Sequence, residues 1–229
     1  MESISLNNKD TAKKYIAFFD LDRTIIKTNS GKTLIKQAYK HKLLSRTDLF
    51  KGIYLSLLYR FNLRETTGII NSMVSWMKGV SEKQMNELSV ELFRNHILLS
   101  IYDEVAEEIK FHKSKGGKVV ILSSAILPVC KIVADYLKMD DIICSFLETE
   151  NGVYTGRPEG RFCYGNEKVV QLLNYCKLNL VDPGDSWYYG DSIGDLPALD
   201  TVGIPVCINP DRKLKKEALK KGWRILKWH

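Results

Sequence analysis

Two aspartates spaced by one residue, Asp20 and Asp22, follow directly on the apolar run Tyr15-Ile16-Ala17-Phe18-Phe19. Carboxylates this close disfavour each other's ionisation unless a cation compensates them. Magnesium suits that demand, since it takes oxygen ligands from few carboxylates and keeps places for water and phosphate oxygens. Alone, Asp-x-Asp at a strand end equally describes two turn-forming residues. A second acidic pair lies in Gly190-Asp191-Ser192-Ile193-Gly194-Asp195-Leu196-Pro197, after the apolar Trp187-Tyr188-Tyr189. Gly190 and Gly194 permit tight turns that would aim Asp191 and Asp195 inward, and the segment lacks the ligand count of an EF-hand. Between the pairs, Ser123-Ser124 could grip a phosphate through a hydroxyl and backbone amides, or cap the next helix. Lys168 could neutralise charge between a carboxylate and a phosphoryl group, or be an ordinary exposed helix lysine.

The elements that must position these residues alternate. Tyr15–Phe19 and Lys118–Leu122 read as buried strands. Ile101, Val105 and Ile109 mark one face of a helix that stops at Gly116-Gly117, and Leu127 to Met139 reads as a helix with Pro128 in its first turn. Ile142–Phe146 is strand-like, and Val153-Tyr154 between two glycines suggests a hairpin. Glu167 to Cys176 reads as a helix, Gly203 to Ile208 as a strand, and Asn209-Pro210 as the cap and first position of a basic helix. From about Ser30 to His96 no proline occurs, and Leu88, Leu92 and Phe93 recur at helical spacing behind Ser81, a plausible N-cap. This pattern predicts an α/β fold, a Rossmann-like parallel sheet flanked by helices, with ligands bound beyond the carboxyl ends of the strands. The domain expectation is a core of residues 1–28 plus 98–229, with 29–97 inserted as a helical cap over the site.

Composition sets bounds. The 229 residues, 45% hydrophobic and 27% charged, describe an ordinary globular chain. A formal net charge of +7 favours anionic partners, although a solvated basic surface suffices to explain it. The five cysteines are odd in number and form no Cys-x-x-Cys pair, which argues against a disulfide framework or a structural zinc site. The polar N-terminal segment has no apolar signal core, and no apolar run reaches the ~18 residues of a membrane span. A cytoplasmic protein, with no stable membrane insertion and no nucleic-acid partner, is therefore expected.

The order Asp-x-Asp-x-Thr, then Ser, then Lys, then Gly-Asp-Ser-x-x-Asp, each at a strand end or helix start, resembles the haloacid dehalogenase (HAD) superfamily of hydrolases over nearly the whole chain. Phe18 to Thr24, Gly152-Val153-Tyr154-Thr155-Gly156-Arg157, Gly203-Ile204-Pro205-Val206 through Asn209-Pro210-Asp211, and Gly222-Trp223 look like subfamily IB, the phosphoserine phosphatase-like branch. The resemblance implies a cap that is all-helical, of the C1 type. It also implies a Mg2+-dependent phosphatase acting on a small-molecule phosphate monoester. Asp20 would be the nucleophile that becomes an aspartyl-phosphate, and Asp22 the general acid and base. Magnesium would be held by Asp20, the Asp22 backbone carbonyl, Asp191 and Asp195. Ser123, Ser124 and Lys168 would bind phosphoryl oxygens, with Thr24 fixing the loop. An acid at Asp22 points away from dehalogenation, where the departing halide needs no proton. Two departures disfavour phosphoserine as substrate: Lys27-Thr28-Asn29-Ser30 carries no acid, and Ser123-Ser124-Ala125 stands where a Ser-Gly-Gly turn is usual. Lys51, Tyr54, Tyr59, Arg60, Phe61 and Arg64 give the cap aromatic and basic character that would suit a larger anionic ester, or simply pack. The alternatives are a phosphotransferase or mutase acting on a phosphorylated metabolite, and a basic protein that docks on membranes or nucleic acid.

Overall fold

The computed structural model describes residues 14–47 and 72–229. At its centre is β1 (Ile16–Phe19), four residues with every side chain buried. A strand of Ile, Ala, Phe and Phe has no polar face to offer solvent, so it is stable only where both faces of a sheet are covered. It pairs in parallel with β2 (Lys118–Ile126) on one side and β6 (Trp187–Gly190) on the other. The full sheet is six-stranded, in the order β3-β2-β1-β6-β7-β8, with β3 at Asp141–Ser145, β7 at Ile204–Ile208 and β8 at Arg224–Leu226. Every pairing is parallel. The strand order reverses at β1, so its carboxyl end opens into the crevice where such sheets bind ligands.

Alternation along the strands divides the core. Ala17, Phe19, Ile121 and Tyr189 point to the face covered by α3 (Asp103–Ser114) and α4 (Leu127–Leu137). Ile16, Phe18, Leu122 and Tyr188 point to the other face, covered by α5 (Asn166–Leu178), the short α6 (Leu196–Leu199) and α7 (Arg212–Lys221). The first face holds a buried polar chain. His112 lies between the Tyr15 hydroxyl (3.1 Å) and the Tyr189 hydroxyl (2.8 Å), and burial pulls its imidazole down to about 4.

The regular elements in the described part of the segment between β1 and α3 are helices and helical turns. It contains α1 (Ser30–Lys40), a 3₁₀ turn at Ser75–Met77 and α2 (Glu82–Leu92), which runs into a π turn at Phe93–Ile97. Ser81 caps α2 in a full capping box with Gln84. Lys51, Tyr54, Tyr59, Arg60, Phe61 and Arg64 lie outside the described residues. A hairpin, β4 (Leu147–Glu150) and β5 (Val153–Pro158), turns through Asn151 and Gly152, both with positive φ. That is the turn geometry matched to strand twist. Its turn reaches the helical segment: Glu82 N–H donates to Gly152 O (2.9 Å) and Tyr154 N–H to Val80 O (2.9 Å).

Two local expectations need correction. The strand after Lys118 does not end at Leu122. It continues to Ile126 through a bulge, because its pairing with β3 steps from Leu122↔Ile143 to Ile126↔Ser145. Helix α7 is capped by Asp211 and not by Asn209-Pro210. The Asp211 carboxylate accepts from Lys213 N and Leu214 N (both 2.8 Å), whereas Asn209 has φ +40° and uses its side chain to hold the Trp228 backbone.

Candidate active site

Asp20 continues the ladder of β1, its N–H donating to Tyr189 O (2.9 Å), so its carboxylate emerges at the switch point of the sheet. Asp191 and Asp195 follow β6, the neighbouring strand. Oxygens of Asp20, Asp191 and Asp195 all lie within 4.8 Å of one another, and all three residues are buried. At that spacing two carboxylates repel by roughly 3–4 kcal/mol even at an effective dielectric of ~20. Part of the charge is met by Lys168, which is 3% exposed: the chain turns it inward from the first turn of α5. Its Nζ donates to Asp20 Oδ1 (2.7 Å) and Asp195 Oδ1 (2.7 Å).

The electrostatics sort the carboxylates. Burial pushes Asp20 up to about 7 against the opposing pull of Lys168, and Asp195 adds to the rise. Burial, then the charges of Asp195 and Asp20, push Asp191 up to about 8. Asp195 goes the other way. Burial would raise it, but Lys168 and the hydrogen bonds from Lys168, Tyr188 and Ser192 N–H outweigh that and hold it below the usual carboxylate range. Burial would lower the Lys168 ammonium, yet Asp195 and Asp20 keep it well above the ordinary lysine value. One ammonium among three carboxylates leaves the cluster short of positive charge. An all-oxygen set of this kind could hold a hard divalent cation.

The side chain of Asp22 is not in that cluster. Its Oδ1 accepts from Ser30 N–H at the start of α1 (2.7 Å), and withdrawal from water raises its carboxyl despite that bond. Arg23 follows in the left-handed region, φ +61°, with an exposed side chain whose charge lowers both Asp22 and Asp191. Thr24 is fully buried, with no partner for its Oγ1. Ser123 and Ser124 sit in the bulge of β2. Ser123 is buried and its Oγ accepts from Ala125 N–H (3.3 Å), while Ser124 O accepts from Ser145 Oγ (3.0 Å).

The glycines do their work by close approach. Neither Gly190 nor Gly194 has positive φ. A Cβ on Gly190 would lie 2.8 Å from Asp195 Cβ and 3.0 Å from a Tyr188 ring carbon, so glycine lets Asp195 fold back against the strand.

Residues 17–200 match the family of haloacid dehalogenase-like hydrolases. The chain belongs to that family. Among curated relatives it is 30% identical over 220 residues to an "inhibition of morphological differentiation protein" from Streptomyces azureus, covering 93% of this chain and 78% of the relative. It is 28% identical over 224 residues to a histidinol-phosphatase from Neisseria meningitidis serogroup C, covering 93% and 98%. A crystal structure of a protein of unknown function from Bordetella pertussis shares the fold at a TM-score of 0.86 and 22% identity, over 93% of this chain and 98% of that one. The chain is thus a HAD-like hydrolase, an enzyme. Among the described residues no helix is long and apolar enough to cross a membrane.

Three residues at the HAD site were not legible as such in the sequence. Tyr188 Oη lies 3.0 Å from Lys168 Nζ and 2.8 Å from Asp195 Oδ1. Asp211 ties the Asp191–Asp195 turn down, donating from its N–H to Asp191 O (2.7 Å) and accepting from Ile193 N–H (3.0 Å). Ser145 holds the β2 bulge and also accepts from Cys163 N–H (3.1 Å). Only Asp211 had a local signal, an aspartate three residues past a strand and directly before a basic run.

Proposed function

We propose that this HAD-like hydrolase is a Mg2+-dependent phosphomonoesterase acting through an aspartyl-phosphate on Asp20. The observation that carries the reading is the Asp20 carboxylate. It stands at the mouth of the central strand, 2.7 Å from a buried lysine and beside two further buried carboxylates. A carboxylate so placed can attack phosphorus: a bond forms from Asp20 to phosphorus as the ester P–O bond breaks. Two displacements replace one difficult step. Asp22, whose carboxyl burial raises and which Ser30 N–H holds in place, is the group to give a proton to the departing alkoxide. In the second displacement Asp22 takes a proton from water, water oxygen bonds to phosphorus, and Asp20 is released with inorganic phosphate. Lys168 neutralises charge between Asp20 and the transferring group. Ser123 Oγ, the Ser124 backbone amide and Thr24, whose Oγ1 has no partner, are the groups to orient phosphoryl oxygens and the loop. Magnesium, held by Asp20, Asp191, Asp195 and the Asp22 backbone carbonyl, would supply the missing positive charge.

We read residues 29–97 as a helical cap that encloses a small phosphorylated metabolite. The helices α1 and α2 and the Asp22–Ser30 link support it. The substrate is a phosphate monoester, with phosphoserine disfavoured for the reasons given from Lys27–Ser30 and Ser123–Ala125. Phosphate release over a panel of phosphorylated metabolites with magnesium tests the proposal. The expected result is turnover of at least one ester by the native chain and none by a folded Asp20→Asn variant. Undiminished turnover in that variant rejects Asp20 as nucleophile, and ester consumed only with an added acceptor that itself becomes phosphorylated, without inorganic phosphate release, would make the enzyme a phosphotransferase.

A further inference from the structure

Tyr188 lies in the apolar part of β6, outside the acidic segments, yet its hydroxyl is buried at the centre of the charge network. A lysine ammonium has three protons to donate and accepts none. Lys168 meets three acceptors: Asp20 Oδ1 at 2.7 Å, Asp195 Oδ1 at 2.7 Å and Tyr188 Oη at 3.0 Å. The same hydroxyl donates to Asp195 Oδ1 at 2.8 Å. Lys168 Nζ, Tyr188 Oη and Asp195 Oδ1 therefore close a triangle with sides of 2.7, 3.0 and 2.8 Å. All three residues are withdrawn from solvent, Tyr188 completely.

We infer that Tyr188 is a positioning residue for the phosphoryl-transfer step, an inference that rests on the function proposed above. Two carboxylate contacts alone leave Nζ free to swing about the line joining their oxygens, at the end of a four-carbon stem. A third contact off that line removes the freedom and fixes where the positive charge stands relative to Asp20. The donation to Asp195 also selects which of its oxygens faces the lysine, leaving Oδ2 to Ser192 N–H (3.2 Å) and Ser192 Oγ (3.1 Å). Phenylalanine would fill the same space and keep the ring near the ammonium, whose Nζ is 5.7 Å from the ring centroid. It would leave one buried ammonium proton unmet and Asp195 Oδ1 with one donor fewer. The loss of a hydrogen bond to a charged group corresponds to roughly a 10- to 100-fold change in rate. Because a misplaced charge is felt most where charge is moving, the loss falls on kcat with little change in KM.

The test compares native chain with Tyr188→Phe, using magnesium and p-nitrophenyl phosphate together with any ester turned over in the panel. The expected result is kcat lower by about 10- to 100-fold and KM within about threefold, with the melting temperature lowered by only a few degrees so that the chain stays folded at the assay temperature. An unchanged kcat, or a kcat loss that only follows a collapse in melting temperature, overturns the inference. A second measurement needs no substrate. In protein labelled with ¹⁵N at lysine side chains, the Lys168 ammonium, assigned by its loss in Lys168→Met, should exchange its protons slowly. In Tyr188→Phe it should shift and exchange several times faster, and an unmoved signal overturns the inference whatever the activity. Native chain and Asp20→Asn equally inert on every ester would reject the proposed function, and the ammonium signal would still decide whether Tyr188 holds Lys168.

Discussion

At the scale of single residues, Asp22 makes the sharpest claim about chemistry, because an acid matters only when the leaving group needs a proton. An alkoxide does and p-nitrophenolate does not. Asp22→Asn keeps an oxygen that can accept from Ser30 N–H but has no proton to give at neutral pH. Its kcat on an alkyl phosphate should fall by roughly 10²–10⁴-fold. The fall on p-nitrophenyl phosphate should be at least tenfold smaller, and parallel kinetics on the two esters check it. Equal losses on both would mean that Asp22 acts through structure alone. The acid pairs were legible in the sequence because carboxylates two and four positions apart behind apolar runs have few other uses in combination. Tyr188 was not. A tyrosine in a run of Trp-Tyr-Tyr reads as core, and its ring is core; only its hydroxyl belongs to the site, and only the register of β6 against β1 shows that.

At the scale of elements, the site depends on how strand ends are tied to one another. Ser145, the last residue of β3, is fully buried and joins the β2 bulge to the segment before α5, donating to Ser124 O and accepting from Cys163 N–H. Ser145→Ala leaves the Cys163 N–H without its partner and the β2 bulge without its tether. A buried unmet donor costs about 1–3 kcal/mol, so the melting temperature should fall measurably. If the bulge grips phosphate, KM for the ester should rise several-fold as well, and steady-state kinetics beside calorimetry separates the two effects. Stability lost with KM unmoved would take Ser123-Ser124 out of substrate binding. Most elements were readable from their period and caps: β1 from an unbroken apolar run, α2 from Ser81 ahead of Leu88, Leu92 and Phe93, and the hairpin from Val153-Tyr154 between two glycines. The failures share a cause. The bulge in β2 and the cap of α7 are decided by neighbours distant in sequence, namely the register of β3 and the needs of the Asp191–Asp195 turn. Asn209-Pro210 carried the local cap signal, but Asn209 was taken by Trp228.

At the scale of the whole molecule, the buried carboxylates should make stability, pH and metal one linked system. Asp20 and Asp191 titrate near 7 and 8 in the fold, against about 3.9 in an unfolded chain. Between those values the folded chain keeps protons that the unfolded chain has released. The difference ν_U − ν_N is then negative, and stability falls as pH rises. His112 opposes this at lower pH: held near 4, it stays neutral where an unfolded histidine would be charged, so its contribution rises with pH up to about 6.5. The depressed Asp195 loses its contribution only below the ordinary carboxylate range and leaves this window unaffected. Above about 6.5 the raised carboxylates set the trend, and the buried thiols of Cys163 and Cys207, pushed up to about 12, act in the same direction, so chelator-treated protein should melt at a lower temperature at pH 8.5 than at pH 6.5. Magnesium bound at this cluster would reverse the trend, because a cation that binds the fold and not the unfolded chain stabilises it by mass action, about 2.7 kcal/mol at a hundred times Kd. It must also displace the protons of Asp20 and Asp191, so its affinity climbs through the same window. The upward shift in melting temperature on adding magnesium should therefore be larger at pH 8.5 than at pH 6.5, with protons released on binding at the lower pH. Calorimetric titration in two buffers of different ionisation enthalpy reads that release directly. A magnesium shift independent of pH, or its persistence in Asp191→Asn, would place the cation elsewhere than among these three carboxylates.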